Sequence, residues 1–503
     1  MTADWAALRT AATEAARSFA TDLADPGRCQ RQLLARILAE NRNCEFGRRH
    51  DFAGIADFEA WCDRVPVRDY GGFARDIERI AAGHANVTTA APVIAFEETG
   101  GTAMGAKLVP YTAAGLLDFR RAVLPWLGEL LRRRPRLTAG RAYVTISPAT
   151  RAPRTTAGGT PIGLLSDAAY LGADLAPSFA ALLAVPPSLA TIADPAEWQV
   201  QSLTALVGAQ DLSFISLWSP TFLIALLAAL APNAEAVLAK LDPTARARLE
   251  RALSAPALDT GLLWPALDCI SCWKDGASAG YAQQLARLFP HCVIEGKGLL
   301  ATEAAVTVPW TAEGDCVPAL ASCLIEFHDA SGNARLCDAL RAGATYRIVV
   351  TTASGLYRYD LGDIVECTGH AGAAPTLRFV GRSGLVSDLV GEKLDDSFVA
   401  TAVAGLRAPA LLAARVDPPG YVLVLEFACE SDAADRVEAR LMRNPQYAYA
   451  RKIGQLAPMQ VIIHAQLSVE LAKQGLAKGR RLGDLKPVAL VPAGASEKDW
   501  LQS

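Results

Sequence analysis

A glycine-rich loop that follows a short apolar run constrains this chain more than any other stretch. The run 92–96 (PVIAF) is typical of a buried strand, and it leads into 97–112, which reads EETGGTAMGAKLVPYT. The adjacent Gly100 and Gly101 allow positive φ and a close approach to a ligand, because neither carries a Cβ. Consecutive amides in such a loop can form an anion-binding concavity. The pattern therefore predicts a loop that holds the phosphates of a nucleotide.

The neighbours of the two glycines add donors and charge. Thr99 and Thr102 supply hydroxyl groups, and Lys107 supplies a positive charge. Taken alone, the pattern fits an ordinary glycine turn equally well, because short glycine motifs often occur by chance. A Walker loop is disfavoured, since Ala106 separates Gly105 from the lysine and no Ser or Thr follows it. The interpretation as a phosphate-binding loop therefore depends on further functional residues elsewhere in the chain.

Length and composition place the chain among large globular proteins. Its 503 residues exceed one compact core, so two or more domains are expected. The hydrophobic share is 51%, and the net charge of -3 gives no general attraction to nucleic acid or anionic membrane. The N-terminus lacks the apolar segment of a signal peptide, and the longest apolar run, 222–231, is too short to span a membrane. We therefore expect a soluble, cytoplasmic protein with no nucleic-acid or membrane partner.

The cysteines and histidines do not indicate a metal enzyme. Eleven cysteines are scattered along the chain, and without a signal peptide we expect them to be reduced and mostly buried. Cys269 and Cys272 form a lone CxxC, with no second pair or nearby histidine to complete a zinc site. The six histidines are dispersed and show no HExxH spacing.

Alternating strand and helix patterns predict an α/β protein. Residues 1–85 read as helices, and a further helix is predicted over 113–134. Strands are predicted over 142–147, 213–218, 267–273 and 292–295, and helices over 220–230, 243–253 and 277–288. This alternation favours a largely parallel sheet covered by helices, in which ligands bind at the carboxyl ends of the strands.

The pattern changes in the last third of the chain. Short strands over 323–327, 346–351, 356–359, 364–367 and 377–380 predict a mostly antiparallel subdomain. Beyond residue 386, strands over 422–427 and 460–464 and helices over 395–406 and 432–442 indicate a small α+β domain. We therefore predict a large N-terminal domain, 1–386, and a small, mobile C-terminal lid domain, 387–503.

Two acidic clusters and one lysine carry further chemistry. Thr302 and Glu303 follow a predicted strand, where a carboxylate can hold Mg²⁺ beside nucleotide phosphates; the alternative is a helix N-cap. Asp363 ends the segment YRYDLGD and can accept hydrogen bonds from ribose hydroxyls, or it can lie in a plain Gly-Asp turn. Lys486 precedes Pro487, which fixes the adjacent backbone, although a lone lysine is usually a surface charge.

Taken in order, these motifs resemble a known family. TGGTxxxxK, TE, YRxxLGD, GR and a lysine near the end resemble the adenylate-forming superfamily. Closer still, the chain resembles the auxin-responsive Gretchen Hagen family of acyl-acid amido synthetases, in its bacterial branch. The supporting segments span nearly the whole chain: VPVRDY at 65–70, KLVPYT at 107–112, LWSPTFL at 217–223, GLLATE at 298–303, LYRYDLGDIVE at 356–366, RSGLVSDLVGEKLDD at 382–396 and GDLKP at 483–487.

The resemblance implies an ATP- and Mg²⁺-dependent enzyme that joins a small carboxylic acid to an amine, usually an amino acid, and releases AMP and pyrophosphate. Glu303 would help to hold Mg²⁺, and Asp363 and Arg382 would bind the ribose. Lys486 would act during adenylation, delivered by rotation of the small domain about 386–388. The implied nucleotide-binding residues are Thr99, Gly100, Gly101, Thr102, Ala103, Thr302, Glu303, Tyr359, Asp363 and Arg382.

The chain departs from the family pattern in its loop, where Gly100 replaces a serine and Ala103 a frequent hydroxyl residue, leaving fewer donors. The motifs do not specify the acyl pocket, for which Tyr170 and Trp218 are our candidates. Two alternatives stay open: transfer of the acyl group to coenzyme A, and a non-catalytic binder of nucleotide or acyl acid. The sequence specifies neither the acid, nor the acyl acceptor, nor the oligomeric state.

Overall fold

The structure is a computed structural model, and it describes residues 3–99, 107–144, 154–163, 170–192, 194–382, 384–452, 454–477 and 485–492. The chain forms two compact units, each assembled from segments that lie far apart in sequence. Unit 1 consists of Met1–Thr138, Arg151–Leu182 and Gly298–Arg378, and unit 2 consists of Ala139–Thr150, Leu183–Lys297 and Phe379–Ser503. The functional division at residue 386 stays a prediction.

The helices are α1 (Ala3–Asp22), α2 (Pro26–Asn41), α3 (Glu45–Arg49), α4 (Phe58–Arg64), α5 (Tyr70–Ala81), α6 (Ala113–Arg133), α7 (Ala176–Leu182), α8 (Pro195–Gly208), α9 (Pro220–Ala228), α10 (Ala234–Leu238), α11 (Pro243–Leu253), α12 (Thr260–Leu263), α13 (Ala279–Leu288), α14 (Asp396–Val403), α15 (Ala433–Leu441), α16 (Pro445–Lys452) and α17 (Leu467–Ala477). Among the described residues, no helix combines the length and apolar character needed to cross a bilayer.

The strands are β1 (Val93–Thr99), β2 (Lys107–Thr112), β3 (Arg141–Val144), β4 (Arg154–Thr155), β5 (Pro161–Ile162), β6 (Leu212–Ser216), β7 (Cys269–Cys272), β8 (Val293–Gly296), β9 (Thr307–Pro309), β10 (Cys316–Pro318), β11 (Leu324–His328), β12 (Ala334–Arg335), β13 (Thr345–Thr351), β14 (Tyr359–Ala371), β15 (Ala374–Arg382), β16 (Val386–Ser387), β17 (Leu394–Asp395), β18 (Ala410–Arg415), β19 (Gly420–Leu425), β20 (Gln460–Ile463) and β21 (Leu490–Val491).

Unit 1 is built on two sheets. The smaller has the order β2-β1-β5-β4, and β1 and β2 form an antiparallel hairpin at its edge. The larger has the order β12-β11-β13-β14-β15-β10-β9, in which the pairs β12–β11, β11–β13 and β13–β14 are antiparallel. The predicted antiparallel subdomain over 322–382 is therefore confirmed.

A buried ion pair ties the N-terminal helices of unit 1 to this larger sheet. Arg358 and Glu326 form a bidentate pair, with Nε and Nη2 of the arginine 2.8–3.0 Å from the carboxylate oxygens. The arginine Nη1 also donates to the carbonyls of Cys62 and Val65, and the indole N–H of Trp61 donates to Glu326. Both charged side chains are almost fully buried, and Arg358 adopts a φ of 47°. The arginine of the YRYDLGD segment is thus structural.

Unit 2 contains the parallel sheet that the alternating pattern predicts. Its order is β3-β6-β7-β8, and every neighbouring pair is parallel. Ile215, Ile270 and Cys272 belong to an apolar core that the surrounding helices of the unit share. The cap of α11 shows why its start was predictable: Asp242 accepts hydrogen bonds from two amides of the first turn, and Pro243 fixes the first φ.

A second sheet of unit 2, ordered β20-β19-β18-β21, combines with α14 and α15 into the α+β arrangement expected near the C-terminus. The predicted hinge, 386–388, lies in the short hairpin of β16 and β17. Glu392, fully buried, accepts hydrogen bonds from the amides of Leu389 and Val390, and the hydroxyl of Tyr421 contacts both Glu392 and Ser387. The mixed α/β fold class is confirmed, whereas mobility of the C-terminal region stays a prediction.

One predicted break in the sheet is wrong. The sequence suggested separate strands over 356–359 and 364–367, with a Gly-Asp turn between them. The structure instead has the single strand β14, which begins at Tyr359, so 356–358 lie outside it. Residues 361–363 bulge out while the strand continues to pair with β13.

Candidate active site

The glycine loop connects the two strands of a hairpin in unit 1. Thr99, the last residue of β1, pairs with Lys107, the first residue of β2, so the strands fix where the loop begins and ends. The loop residues themselves, Gly100, Gly101, Thr102 and Ala103, lie outside the described residues. The ammonium of Lys107 lies 5.3 Å from the ring centroid of Tyr70. The predicted position of the loop after a strand is confirmed, and its phosphate contacts stay a prediction.

Thr302 and Glu303 lie in a tight turn, which we call the 300–305 turn. Leu300 bridges to Ala305, and the amide of Ala301 donates to the carbonyl of Ala304 at 2.9 Å. The alternative of a helix N-cap at Thr302 is wrong, because no helix starts here in the described chain. The turn instead presents the Glu303 carboxylate at its tip.

Two tyrosine hydroxyls hold the 300–305 turn. Tyr111, on β2, donates to the carbonyl of Thr302 at 2.5 Å, and Tyr359, at the start of β14, donates to Oε1 of Glu303 at 3.1 Å. Tyr111 therefore links the hairpin of the glycine loop directly to the turn that carries the carboxylate. Burial raises the pKa of the Tyr111 hydroxyl, and the nearby carboxylates of Glu97 and Glu303 raise it further. The hydroxyl stays protonated at neutral pH and remains a donor.

Tyr170, a candidate for the acyl pocket, lies beside this turn. Its ring contacts Phe119, with ring centroids 4.6 Å apart, and Tyr111, with ring centroids 6.0 Å apart. Unit 1 thus brings together Tyr170, Thr302, Glu303 and Tyr359. Sequence reasoning missed Tyr111, although it lies in the quoted segment KLVPYT. The available signal was a tyrosine at the end of the segment that follows the glycine loop, two residues before the predicted helix over 113–134.

Asp363 lies in a bulge of β14, four residues after Tyr359. Arg347 pairs with Ile364, and Val349 pairs with Asp360, so 361–363 stands opposite a single residue of β13. Gly362 has a φ of 71°, which a residue with a side chain rarely adopts. Bulges often redirect a side chain next to an active site. The bulge over 361–363 sets the position of the buried Asp363 carboxylate.

The remaining predicted residues belong to unit 2. Arg382 is the last residue of β15 and is exposed. The preceding Gly381 passes so close to α14 that an added Cβ would lie 2.4 Å from the Cα of Ser397. A glycine is therefore required before Arg382. This requirement explains the Gly-Arg pair among the sequence motifs.

Trp218 and Lys486 are connected through a second tryptophan. The ring centroids of Trp218 and Trp273 lie 6.1 Å apart, and the Nζ of Lys486 lies 5.7 Å from the Trp273 centroid. Leu485, next to the lysine, is buried in the core of unit 2 and packs against Gly475. Lys297, another lysine of this neighbourhood, was missed by sequence reasoning. It follows strand β8 in the segment GKG, and the glycines around it were the signal.

The fold is similar to that of a solved acyl acid amido synthetase. The solved AtGH3.15 acyl acid amido synthetase in complex with 2,4-DB is similar, with a TM-score of 0.84 and 19% identity, over 97% of this chain and 96% of that chain. A 2-hydroxyisobutyryl-CoA ligase in the postadenylation state is less similar, with a TM-score of 0.55 and 13% identity over 94% and 90% of the two chains. At identities of 19% and 13%, these two structures show similarity of fold alone.

Family models identify the chain further. The GH3 family N-terminal domain matches residues 15–244, and the GH3 family central domain matches residues 322–382, together more than half of the chain. This chain belongs to the GH3 family. The family resemblance drawn from the motifs is therefore confirmed.

Curated relatives agree with this membership. The probable indole-3-acetic acid-amido synthetase GH3.2 of Oryza sativa subsp. japonica is 25% identical over 456 residues, 80% of this chain and 72% of that protein. The indole-3-acetic acid-amido synthetase GH3.4 of Arabidopsis thaliana is 23% identical over 432 residues, 75% of this chain and 71% of that protein. Both relatives come from plants, and the bacterial branch stays a prediction.

Proposed function

We propose that this protein is an ATP-dependent acyl-acid amido synthetase that joins a small carboxylic acid to an amino acid. A carboxylate oxygen of the acid attacks the α-phosphorus of ATP, and pyrophosphate leaves. The amine nitrogen then attacks the acyl carbon, the acyl C–O bond breaks, and AMP leaves with that oxygen. The observation that carries the proposal is the 300–305 turn, held by Tyr111 and Tyr359 beside the hairpin of the glycine loop.

In unit 1 we assign the nucleotide to the residues that the sequence motifs single out. The loop residues Thr99, Gly100, Gly101, Thr102 and Ala103 bind the phosphates. Asp363, placed by its bulge, accepts hydrogen bonds from the ribose, and Thr302 and Tyr359 complete the contacts. We also assign Tyr170 to the acyl pocket, because its ring contacts that of Tyr111, which holds the turn.

In unit 2 we assign Arg382 to the ribose, Trp218 to the acyl pocket and Lys486 to adenylation. An ammonium group stabilises the negative charge that develops on the α-phosphate. Such electrostatic stabilisation of the transition state is usually the largest contribution to the rate enhancement. Movement of the lysine on a lid that turns about 386–388 is part of this proposal, as is the division of the chain at residue 386. We also propose membership of the bacterial branch and a cytoplasmic location, on the sequence motifs and composition.

The donor set at the turn fits Mg²⁺. Glu303 offers a carboxylate at the tip of the turn, one oxygen of which accepts a hydrogen bond from Tyr359. Magnesium is commonly bound by one or two carboxylates together with substrate phosphates and water, so a larger acidic cluster is not required. When bound, the ion would neutralise phosphate charge, and Glu303 would hold and orient it.

We expect Glu303→Gln to raise the Mg²⁺ concentration for half-maximal pyrophosphate exchange about 10- to 100-fold, because it removes a charge while keeping the shape. The measurement is ATP–pyrophosphate exchange across a Mg²⁺ titration at fixed ATP. Glu313→Gln, an exposed glutamate of the same unit, serves as the matched control. A Glu303→Gln titration that overlays that of the wild type would remove Glu303 from metal binding.

A screen for substrates tests the function itself. Carboxylic acids, including indole-3-acetic acid and 2,4-DB, are first compared by ATP–pyrophosphate exchange. The best acid is then offered amino acids or coenzyme A, and the product masses are determined. We expect an amide with AMP and pyrophosphate. A thioester as the sole product would favour the ligase alternative, and a wild type that exchanges no pyrophosphate with any acid would favour the non-catalytic binder.

A further inference from the structure

The parallel sheet of unit 2 has a polar row on one face, which the proposed function leaves unexplained. Ile215 and Ile270 point into the apolar core. Their neighbours point the opposite way, and the strand register aligns Ser216, Ser271 and Glu295 side by side across β6, β7 and β8. Parallel sheets are usually apolar on both faces, so a polar row at their carboxyl ends, with Ser271 and Glu295 buried and Ser216 half-buried, indicates a functional site.

A buried lysine stands at the end of this row. Lys297 follows β8, two residues after Glu295, and only 6% of its surface is exposed. Its Nζ donates to Oγ of Ser216 at 2.6 Å and lies 5.3 Å from the ring centroid of Trp218. Burying an ammonium group costs several kcal/mol unless anions or dipoles compensate, and enzymes use buried lysines in catalysis.

The row also holds a hydroxyl that lacks a hydrogen bond. Ser271 is fully buried, and within the described part of the chain its Oγ has no hydrogen-bond partner. Buried hydroxyls are nearly always satisfied, so this group is suited to a ligand that arrives from outside the fold. Ser271 stands next to Ser216, which already orients Lys297.

We propose that Lys297 binds the carboxylate of the acid substrate before adenylation, while the Trp218–Trp273 pair contacts the apolar part of that acid. This inference rests on the proposed function and names the residue that recognises the acid. An organic acid combines one anionic group with an apolar body, and the site offers one buried ammonium beside two aromatic rings. A triphosphate would need several donors and no aromatic surface, so a carboxylate fits better.

Each ring of this pair has a lysine nearby, and the two lysines have different surroundings. Lys297 is buried against Trp218, whereas the exposed Lys486 lies over Trp273. A buried, hydrogen-bonded ammonium is held in place and suits ground-state binding of the acid. The exposed ammonium group of Lys486 is less constrained and suits stabilisation of the negative charge that develops on the α-phosphate. We therefore expect Lys297 to determine the KM for the acid and Lys486 to determine the rate of adenylation.

The test compares Lys297→Met and Lys297→Arg with Lys240→Met, an exposed lysine of the same unit. The probes are indole-3-acetate, 2,4-DB, benzoate and hexanoate, and the one with the highest exchange rate is used for kinetics. We expect Lys297→Met to raise the KM for that acid about 10- to 100-fold, with the KM for ATP within about twofold of wild type. Lys297→Arg keeps the charge and should recover part of the affinity.

An unchanged KM for the acid, or an equal rise in the KM for ATP, would overturn the inference. If Lys297→Met fails to fold, Ser216→Ala decides: a KM for the acid raised severalfold supports the inference, and an unchanged KM contradicts it. Calorimetric titration of the four acids without ATP keeps the two proposals separate. A wild type that binds an acid but exchanges no pyrophosphate contradicts the proposed function alone, and Lys297→Met is then judged by its loss of acid binding.

Discussion

We expect Lys486→Met to lower the rate of ATP–pyrophosphate exchange about a hundred- to a thousandfold, the effect of removing one preorganised group that stabilises transition-state charge. Methionine keeps the apolar stem that lies over Trp273, so the change removes the charge and little packing. Because we assign Lys486 to adenylation, the second half of the reaction should be much less affected. Consumption of synthetic acyl-adenylate by the amino acid measures that half separately.

Lys452→Met is the matched control, because Lys452 is an exposed lysine of the same unit and has no assigned role. It should leave both half-reactions within about twofold of wild type, since isolated surface charges contribute little. Equal loss of both half-reactions in Lys486→Met would show that the lysine acts in general binding or folding. Full exchange activity would show that it takes no part in adenylation.

The second large effect concerns stability. We expect Arg358→Met to lower the free energy of unfolding by about 3–5 kcal/mol, because it leaves the fully buried Glu326 without its cationic partner. The double variant Glu326→Gln/Arg358→Met should recover part of the loss, since neither remaining side chain carries a charge. Urea denaturation followed by tryptophan fluorescence gives the free energies.

Arg246→Met supplies the contrast, because Arg246 and Glu250 form an exposed pair on one helix, 3.1 Å apart. Such a pair contributes only about 0.3–0.5 kcal/mol. If Arg358→Met cost no more than Arg246→Met, the ion pair would not be the anchor between the N-terminal helices and the larger sheet. A double variant less stable than Arg358→Met alone would also contradict this account.

The buried pair also predicts a pH dependence. Burial by itself would raise the pKa of Glu326, but hydrogen bonds from His328, Arg358 and Trp61 outweigh it and hold the pKa below the ordinary range. A lowered folded-state pKa stabilises the fold fully above the unfolded value of about 4.3, and this contribution disappears as the pH falls through the folded value. The difference in stability between wild type and Glu326→Gln should therefore shrink on acidification.

Local signals in the sequence predicted much of the fold. Helix α11 begins and ends where predicted, because Asp242 and Pro243 satisfy and fix its first turn. The strands before Trp218 and Trp273 were predictable from their apolar runs, since both are buried in a parallel sheet. The antiparallel subdomain was predictable from the close spacing of short strands.

Features that depend on tertiary pairing were not predictable. Gly362 and Asp363 look like a turn, yet pairing with β13 keeps them in one bulged strand. The 300–305 turn is held by hydroxyls from Tyr111 and Tyr359, which lie far away in sequence. The assembly of each unit from segments that lie far apart in sequence was also not predictable, because it depends on contacts between those segments. The role of Lys297 emerges only from the register of β6, β7 and β8.

The central claim, that the acid is activated through its own carboxylate as an adenylate, is tested most directly with an acid labelled with ¹⁸O in both carboxylate oxygens. The enzyme is supplied with the labelled acid, ATP, Mg²⁺ and an amino acid, and the released nucleotide and phosphate species are analysed by mass spectrometry. The account predicts one ¹⁸O in the phosphate of AMP and one in the amide carbonyl, with unlabelled pyrophosphate. Label in inorganic phosphate, together with ADP, would contradict it.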